Sequence, residues 1–306
     1  MECNDHVLLG CAELDIRAEE AGMSGKVNSG RLKENLRILF KRFGVYERAK
    51  ASWIYDLYWS VADRRIINDR QRESDFYRTL LDGFQNGDLI FDVGANQGYK
   101  SDIFLRCGAK VIAVEPDKTN QETLKQRFLD LRLKKRRLVI VPKAVSDRIS
   151  TETMWIDAPG SAKNTLSRKW ADTLKDDDKR FGHSLSFGQS KQVETVTIEQ
   201  LIIAHGSPFF IKIDVEGHEL SVLRGMRRPV PYLSFEVNLP EFRREGLECI
   251  QVLASLAPDG KFNYSADCRR GLVLDRWIEK QEISSVLDSS ADGSVEVFWK
   301  TSARTG

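Results

Sequence analysis

Leu89-Ile-Phe-Asp-Val-Gly-Ala-Asn-Gln-Gly98 is the stretch on which the reading of this chain turns. A short apolar run ends in an aspartate and breaks into a glycine-rich turn, and an amphipathic segment over 99–106 follows at once. That is the sequence form of a buried strand, a tight turn and a helix N-terminus. Units of this kind usually hold an adenosine-containing ligand at the turn.

Strand and helix signals alternate outward from it. Lys110-Val-Ile-Ala-Val-Glu115 reads as a second strand, stopped by Pro116. Asp117–Thr119 then suits the cap of a helix running to about 133. A third strand is predicted over 138–145. After a polar, irregular stretch, regularity resumes at 193–197 with a helix to 204. Residues 209–215 are almost continuously apolar, which marks a central strand. A helix to about 225, a strand over 232–237, a helix over 242–256 and late strands over 262–265 and 295–300 complete the series. Alternation of this kind means βαβ units, hence an α/β, Rossmann-like, mostly parallel sheet with helices on both faces. Its ligands sit beyond the carboxyl ends of the strands.

Upstream, a helix over 72–84 ends at Asn86-Gly87. Before it, aromatic-rich helical patterns cover 31–44 and 47–66, and residues 1–30 show weak periodicity. The division expected is an N-terminal arm and helical extension (1–71) and one large domain (72–306). Within that domain, 151–192 is read as a loop insertion over the active face. The two early helices suit packing on the sheet, roofing a pocket, or pairing two copies as a homodimer.

The bulk properties narrow the function classes. The chain has 306 residues, of which 41% are hydrophobic and 30% charged, enough for a sizeable core in a globular protein. A formal net charge of +2 gives no reason to expect nucleic acid or an anionic membrane as partner. The basic run at 132–137 reads as a solvated helix end, where cations suit the dipole. No window approaches the 18 apolar residues of a membrane span. The five cysteines form no Cys-x-x-Cys pair, which points to a reducing, cytoplasmic setting without disulfides or thiolate zinc. Leu8-Leu9-Gly10-Cys11 superficially resembles a lipidation box, but no basic region or apolar stretch precedes it.

The candidate chemistry gathers at strand ends. Asp92, Gly94, Asn96 and Gly98 form the turn. Asn96 stands where a dinucleotide fingerprint needs its second glycine, and Asp92 would repel a pyrophosphate. A carboxylate there can instead order the positive amino end of S-adenosylmethionine. Glu115, 21 residues after Gly94, has the offset at which an acidic residue reaches a ribose hydroxyl pair. Lys212, Asp214 and Glu216 alternate, so they share one face at the end of the central strand. Three charges there are costly to bury unless paired or ligand-bound. Asp214 and Glu216 are candidates for substrate or methyl-site work, against an ion pair with Lys212 and a capping role for Glu216. His218, in the first helical turn beyond, is a candidate general base or a structural histidine. Glu236 ends the next strand and could face the same pocket. A divalent metal held by Asp214 and Glu236 is the lesser alternative; the pattern matches no metal motif, and no metal is expected.

Asp92-Val-Gly-Ala-Asn-Gln-Gly98, Val114-Glu-Pro116, Ala144-Val-Ser-Asp147, Val196-Thr-Ile-Glu-Gln-Leu201 and Ile211-Lys-Ile-Asp-Val-Glu-Gly-His-Glu219 together resemble the FkbM family of methyltransferases. The resemblance covers about 72–240. It implies a class I methyltransferase fold, whose sheets are commonly closed by an antiparallel pair such as the two late strands. It implies methylation of hydroxyls on sugars, polyketides or similar small acceptors. It also implies cofactor contacts from Asp92, Gly94, Asn96, Gly98 and Glu115, with Ala144–Asp147 near the adenine. Glu199 stands where an aspartate is usual and reads as structural. The expectation is therefore an S-adenosylmethionine-dependent O-methyltransferase acting on a sugar, glycan or related metabolite, with Asp214, Glu216 or His218 as base. The alternatives are a non-catalytic module of the same fold and a nicotinamide-dependent oxidoreductase, against which Asn96 counts.

Overall fold

Residues 64–302 of the chain, apart from 134–135, 176, 178–184 and 291–292, are described by a computed structural model. The early helical patterns, and with them any pairing of copies through those helices, lie almost wholly outside the described residues. The first described helix, α1 (Arg64–Leu80), begins earlier and ends earlier than its pattern predicts.

The core follows in βαβ order: β1 (Leu89–Val93), α2 (Tyr99–Arg106), β2 (Lys110–Val114), α3 (Lys118–Arg127), the short α4 (Leu129–Leu133) and β3 (Leu138–Val141). The predicted 138–145 strand divides at Pro142. Its second part, β4 (Ala144–Val145), leaves the main sheet. The polar stretch after it contains β5 (Thr151–Ile156), α5 (Arg168–Lys175) and the start of β6 (Gln189–Val196). Strands β4, β6 and β5 form a separate three-stranded sheet, with β5 antiparallel to β6. Then come α6 (Ile198–His205), β7 (Phe210–Ile213), α7 (Glu219–Arg224), β8 (Tyr232–Asn238), α8 (Arg243–Leu256), β9 (Lys261–Ser265), α9 (Lys280–Ser289) and β10 (Ser294–Lys300). Helix α9 has no counterpart in the sequence reading.

The main sheet has seven strands in the order β3-β2-β1-β7-β8-β10-β9. β10 runs antiparallel to both neighbours, and the ladders joining the other strands are parallel. This is the Rossmann-like methyltransferase sheet, reversing direction of strand order between β1 and β7. Among the described residues no helix is long and apolar enough to cross a membrane.

The two sheet faces differ in a way that places the site. One face is apolar along its whole length: Phe91 and Val93, Ile211 and Ile213, Leu233, Phe235 and Val237 pack with Leu201, Val222, Leu253 and Ile283 of the helices. The other face starts apolar, with Ile90, Phe210, Tyr232 and Phe298 against Tyr77, Phe104 and Phe128. Toward the carboxyl edge the same face turns polar: Asp92, Lys212, Ser234, Asn238, Asn263, Ser265 and Ser294 are all buried there. Residues two apart share a face, so the change of character is carried by alternate positions of each strand.

Candidate active site

The polar half-face opens into a cavity of about 580 Å³, in the size range of small-molecule sites. Two stretches of its wall are distinct.

The first stretch is built on the β1 turn and the end of β2. Gly94 has φ 83°, and a side chain there would put its Cβ 1.8 Å from the Asp214 carbonyl oxygen, so only glycine lets the ends of β1 and β7 approach. Asn96, with φ 48°, donates its backbone N–H to Glu115 Oε2 at 2.8 Å. Asp117 N–H donates to Glu115 Oε1 at 2.7 Å. Glu115 is buried, and burial pushes its carboxyl up to about 7 against those two donors. Gly94, Asn96, Glu115 and Ala144 all line the cavity.

Three of the predicted cofactor residues stand elsewhere. Asp92 is 1% exposed and is not among the lining residues; its Oδ2 accepts from Ser101 Oγ at 2.6 Å. Gly98 caps α2 with φ 84°, and a Cβ there would meet Leu124 at 2.5 Å and Phe128 at 2.6 Å, so its glycine serves the packing of α2 on α3. Asp147 does not line the cavity and lies beside Arg148 at 3.8 Å.

The second stretch gathers charges from β7, β8 and β10. Lys212 pairs in register with Ser234 and Ile213 with Phe235, so Asp214 and Glu236 fall side by side one step on. Glu236 in turn lies opposite Glu296, and Glu296 opposite Ser265. Three carboxylates thus form one row across three strands. Lys212 Nζ donates to Asp214 Oδ2 at 2.7 Å. Burial opposes the Lys212 charge, and Asp214 and Glu296 outweigh it, holding the ammonium well above its ordinary range. Burial likewise works against Asp214, yet Lys212 holds that carboxyl below its usual value. Glu236 is pushed well up, first by burial and then by Asp214 and Glu216. The surroundings thus favour the protonated form of Glu236 and the ionised form of Asp214.

Glu216 joins them: carboxylate oxygens of Asp214, Glu216 and Glu236 lie within 4.8 Å of one another. Lys163 Nζ donates to Glu216 Oε1 at 3.1 Å and Trp170 Nε1 to Oε2 at 2.8 Å. Lys212 and Lys163 thus stand against two of the three carboxylates, and the three lie close enough together to hold a metal ion. Thr165 Oγ1 also donates to the Glu216 carbonyl at 2.7 Å. Glu216 has φ 55°, a left-handed conformation that these contacts hold in place.

His218 lines the cavity too, between Ser146 Oγ at 3.2 Å and Glu152 Oε2 at 3.6 Å. Burial lowers its pKa, with Glu152 and Asp147 opposing, so the imidazole is neutral at pH 7. Glu219 faces inward under the loop, where its Oε1 accepts from the N–H of Val215 and Gly217 at 3.0 and 3.2 Å.

The sequence reading did not single out Lys163, Trp170, Asn238 or Ser294. Asn238 and Ser294 follow the alternation Glu236-x-Asn238 and Ser294-x-Glu296, which was legible as a polar stripe. Lys163 and Trp170 lie in the polar stretch far from any motif and carried no signal. Glu199 accepts from the Arg228 guanidinium on the surface of α6. Arg137, in the basic run, donates to the Leu105 and Ala109 carbonyls.

Comparison with known proteins adds to this geometry. A family profile, the methyltransferase FkbM domain, matches residues 92–257. An isoprenyl transferase of Aquifex aeolicus (strain VF5) is 29% identical over 159 residues, covering 50% of this chain and 67% of that protein. The hexuronic acid methyltransferase AglP of Haloferax volcanii is 28% identical over 182 residues, covering 58% of this chain and 66% of that protein. The chain thus spans about two thirds of the length of each. Among solved structures, a SAM-dependent methyltransferase of Agrobacterium tumefaciens has a TM-score of 0.38 at 10% identity over 76% of this chain and 62% of that one. A SAM-dependent O-methyltransferase of Thermotoga maritima scores 0.35 at 13% identity over 76% and 66%. Scores of this size do not identify a fold; the strand order does.

Proposed function

The chain belongs to the methyltransferase FkbM family, whose methyl donor is S-adenosylmethionine, and from that premise we propose an O-methyltransferase acting on a hydroxyl of a sugar, glycan or related small metabolite. The residues present fit the donor. Asn96 Oδ1 is buried with no partner among the described residues, and Glu115 offers a second fixed acceptor on the same wall. An adenosine bearing a positive amino end and ribose hydroxyls supplies the donors these groups lack. Asn96 and Glu115 would hold it, and Gly94 would let it lie close to the backbone.

When bound, S-adenosylmethionine supplies a methyl carbon already activated by its sulfonium. What remains for the protein is to align an acceptor oxygen and take its proton. Asp214 is the residue placed for that. Its carboxylate is oriented by Lys212, ionised, and 36% exposed at the cavity. Both Glu216 oxygens are engaged by Lys163 and Trp170, so Glu216 acts as the anchor of the segment above it. His218 is neutral and lines the cavity, and it stands as the second acceptor for the proton. Asn238 Nδ2, buried and unpartnered among the described residues, offers a hydrogen bond to an oxygen of the acceptor. The reading of a sugar hydroxyl is supported by this density of polar groups and by the name of the Haloferax relative.

The observation that carries the proposal is the ionised Asp214 at the end of β7, beside the Gly94–Glu115 wall. The test is methyl transfer from labelled S-adenosylmethionine to fractionated small-molecule and glycan extracts. Asp214→Asn lowers turnover about 10²- to 10³-fold and leaves S-adenosylhomocysteine binding within about threefold. Label found only in protein or nucleic acid overturns the small-acceptor reading. Wild-type turnover in Asp214→Asn and His218→Ala alike overturns the base assignment.

A further inference from the structure

Strands β8 and β10 set two register pairs side by side: Glu236 opposite Glu296, and Asn238 opposite Ser294. Residues directly opposite and residues two apart share a face, so the four make one patch, and all four line the cavity. Ser294 Oγ donates to Glu236 Oε1 at 2.8 Å, which ties the two pairs together. Glu236 and Glu296 are both partly exposed there. Like charges directly opposite destabilise a sheet, so this pair calls for a compensating cation.

The cavity's own cations do not supply it. Each lysine and arginine that lines the cavity is paired with another carboxylate. Lys212 stands on Asp214 at 2.7 Å, Lys163 on Glu216 at 3.1 Å, and Lys100 on Glu73. Elsewhere on the wall Lys143 pairs with Glu194 at 2.9 Å and Arg70 with Asp102 at 3.7 Å, while Arg269 and Arg270 share Asp267 at 2.9 and 3.7 Å. Glu296 is held by neutral donors instead, Ser234 Oγ at 2.6 Å and Cys268 Sγ at 3.1 Å. Burial and the carboxylates of Asp214 and Glu216 push Glu236 up, and a cation beside it would oppose them. A separate feature of the same patch also points to a bound molecule. Asn238 is 5% exposed, and its Nδ2 has no hydrogen-bond partner among the described residues. A buried amide left so is rare in a native fold unless a ligand completes it.

We propose that this patch is the acceptor subsite and that it takes an acceptor bearing a protonated amine, with the ammonium set against Glu236 and Glu296 and a neighbouring oxygen on Asn238. The inference rests on the methyltransferase reading above and narrows its acceptor to an amino sugar or another aminated alcohol. An anionic acceptor is disfavoured at the same place, because it would meet two carboxylates and no cation that lacks a partner.

The test is methyl transfer from labelled S-adenosylmethionine to glycan and small-molecule extracts split by ion exchange into basic, neutral and acidic pools. Label enters the basic pool. N-acetylation of that pool removes the charge, leaves the hydroxyls, and lowers labelling at least about tenfold. With the acceptor purified from that pool, Glu236→Gln and Glu296→Gln each raise KM at least about tenfold and leave S-adenosylhomocysteine affinity within about threefold. Equal or greater label in the neutral or acidic pool overturns the inference and leaves the methyltransferase reading standing. Basic-pool labelling that survives N-acetylation does the same, as does an unchanged KM in both variants. No label in any pool overturns the methyltransferase reading, and this inference with it.

Discussion

Glu115, buried, and Asp214, partly exposed to the cavity, are both carboxylates at strand ends, and their surroundings push them in opposite directions. Glu115 has only backbone and amide donors, and burial raises it to about 7. Asp214 has Lys212 against it and is held below its ordinary value despite burial. The difference is one of neighbouring charge, which strand-end position alone did not reveal. It has a measurable consequence. Hydroxyls of a ribose donate to the ionised form of Glu115, so cofactor binding releases a proton. S-adenosylhomocysteine affinity therefore rises about tenfold from pH 6 to pH 8, following ionisation of a group titrating near 7. Glu115→Gln flattens that dependence while lowering affinity overall. An affinity independent of pH in the wild-type protein removes Glu115 from the ribose. That Glu115 and Asp214 stand at strand ends was legible in the sequence, the first from its offset and the second from alternation. Their protonation was not, because that of Glu115 follows from burial and that of Asp214 from Lys212 and Glu236, which tertiary structure alone brings about.

At the scale of elements, the segment between β5 and α5 joins the two stretches of cavity wall. Asp117 Oδ1 accepts from the N–H groups of Thr119 and Asn120 at 2.7 and 3.3 Å, capping α3. Its Oδ2 accepts from Asn164 Nδ2 at 3.1 Å. One residue later Thr165 holds the Glu216 carbonyl, and Lys163 and Trp170 hold its carboxylate. The segment is fastened at Asp117 on one side and at Glu216 on the other. Asp117→Ala costs about 1–2 kcal/mol of stability, the sum of a lost cap and a lost side-chain bond. Because it releases the segment from the first of those stretches, it also weakens S-adenosylhomocysteine binding more than the stability loss alone requires. Denaturant unfolding and calorimetry on the same variant separate the two effects. Unchanged binding would mean that Asp117 acts on α3 only. The sequence showed Asp117 as a helix cap, and it showed 151–192 as polar and irregular. It did not show β6 beginning at Gln189, because exposed polar residues on a strand lying outside the main sheet leave no apolar alternation to read.

For the whole molecule, the polar half-face of the sheet is a concentration of unfavourable burial that the apolar face offsets. Its pH signature follows from the signs. Glu115 at about 7, Glu219 at about 8 and Glu236 are all raised by burial above their unfolded values near 4.3. The folded state then binds more protons, so their contribution to stability is complete at low pH and is lost as pH rises through 7 to 8. His218, lowered by burial, acts with the opposite sign near pH 6.5. Three acids outweigh one base. The thermal midpoint of the ligand-free protein therefore falls from pH 6 to pH 8.5, and S-adenosylhomocysteine reduces the fall by favouring ionised Glu115. A midpoint that rises over that range would show that these carboxyls are charged in the fold.

The glycine turn after β1, the offset to Glu115 and the alternation Lys212-x-Asp214-x-Glu216 were properties of the sequence by itself, as was the α/β sheet they imply. Local periodicity and short-range spacing encode them, and both survive whatever the chain does elsewhere. Which of those residues meet a cavity was decided only by tertiary structure. Asp92 turned to Ser101 and Gly98 to Phe128, while Lys163, from a stretch without pattern, came to rest on Glu216. Those outcomes depend on register between strands distant in sequence and on how one inserted segment packs. No local signal carries either, because the energy that fixes them arises only once the strands are side by side.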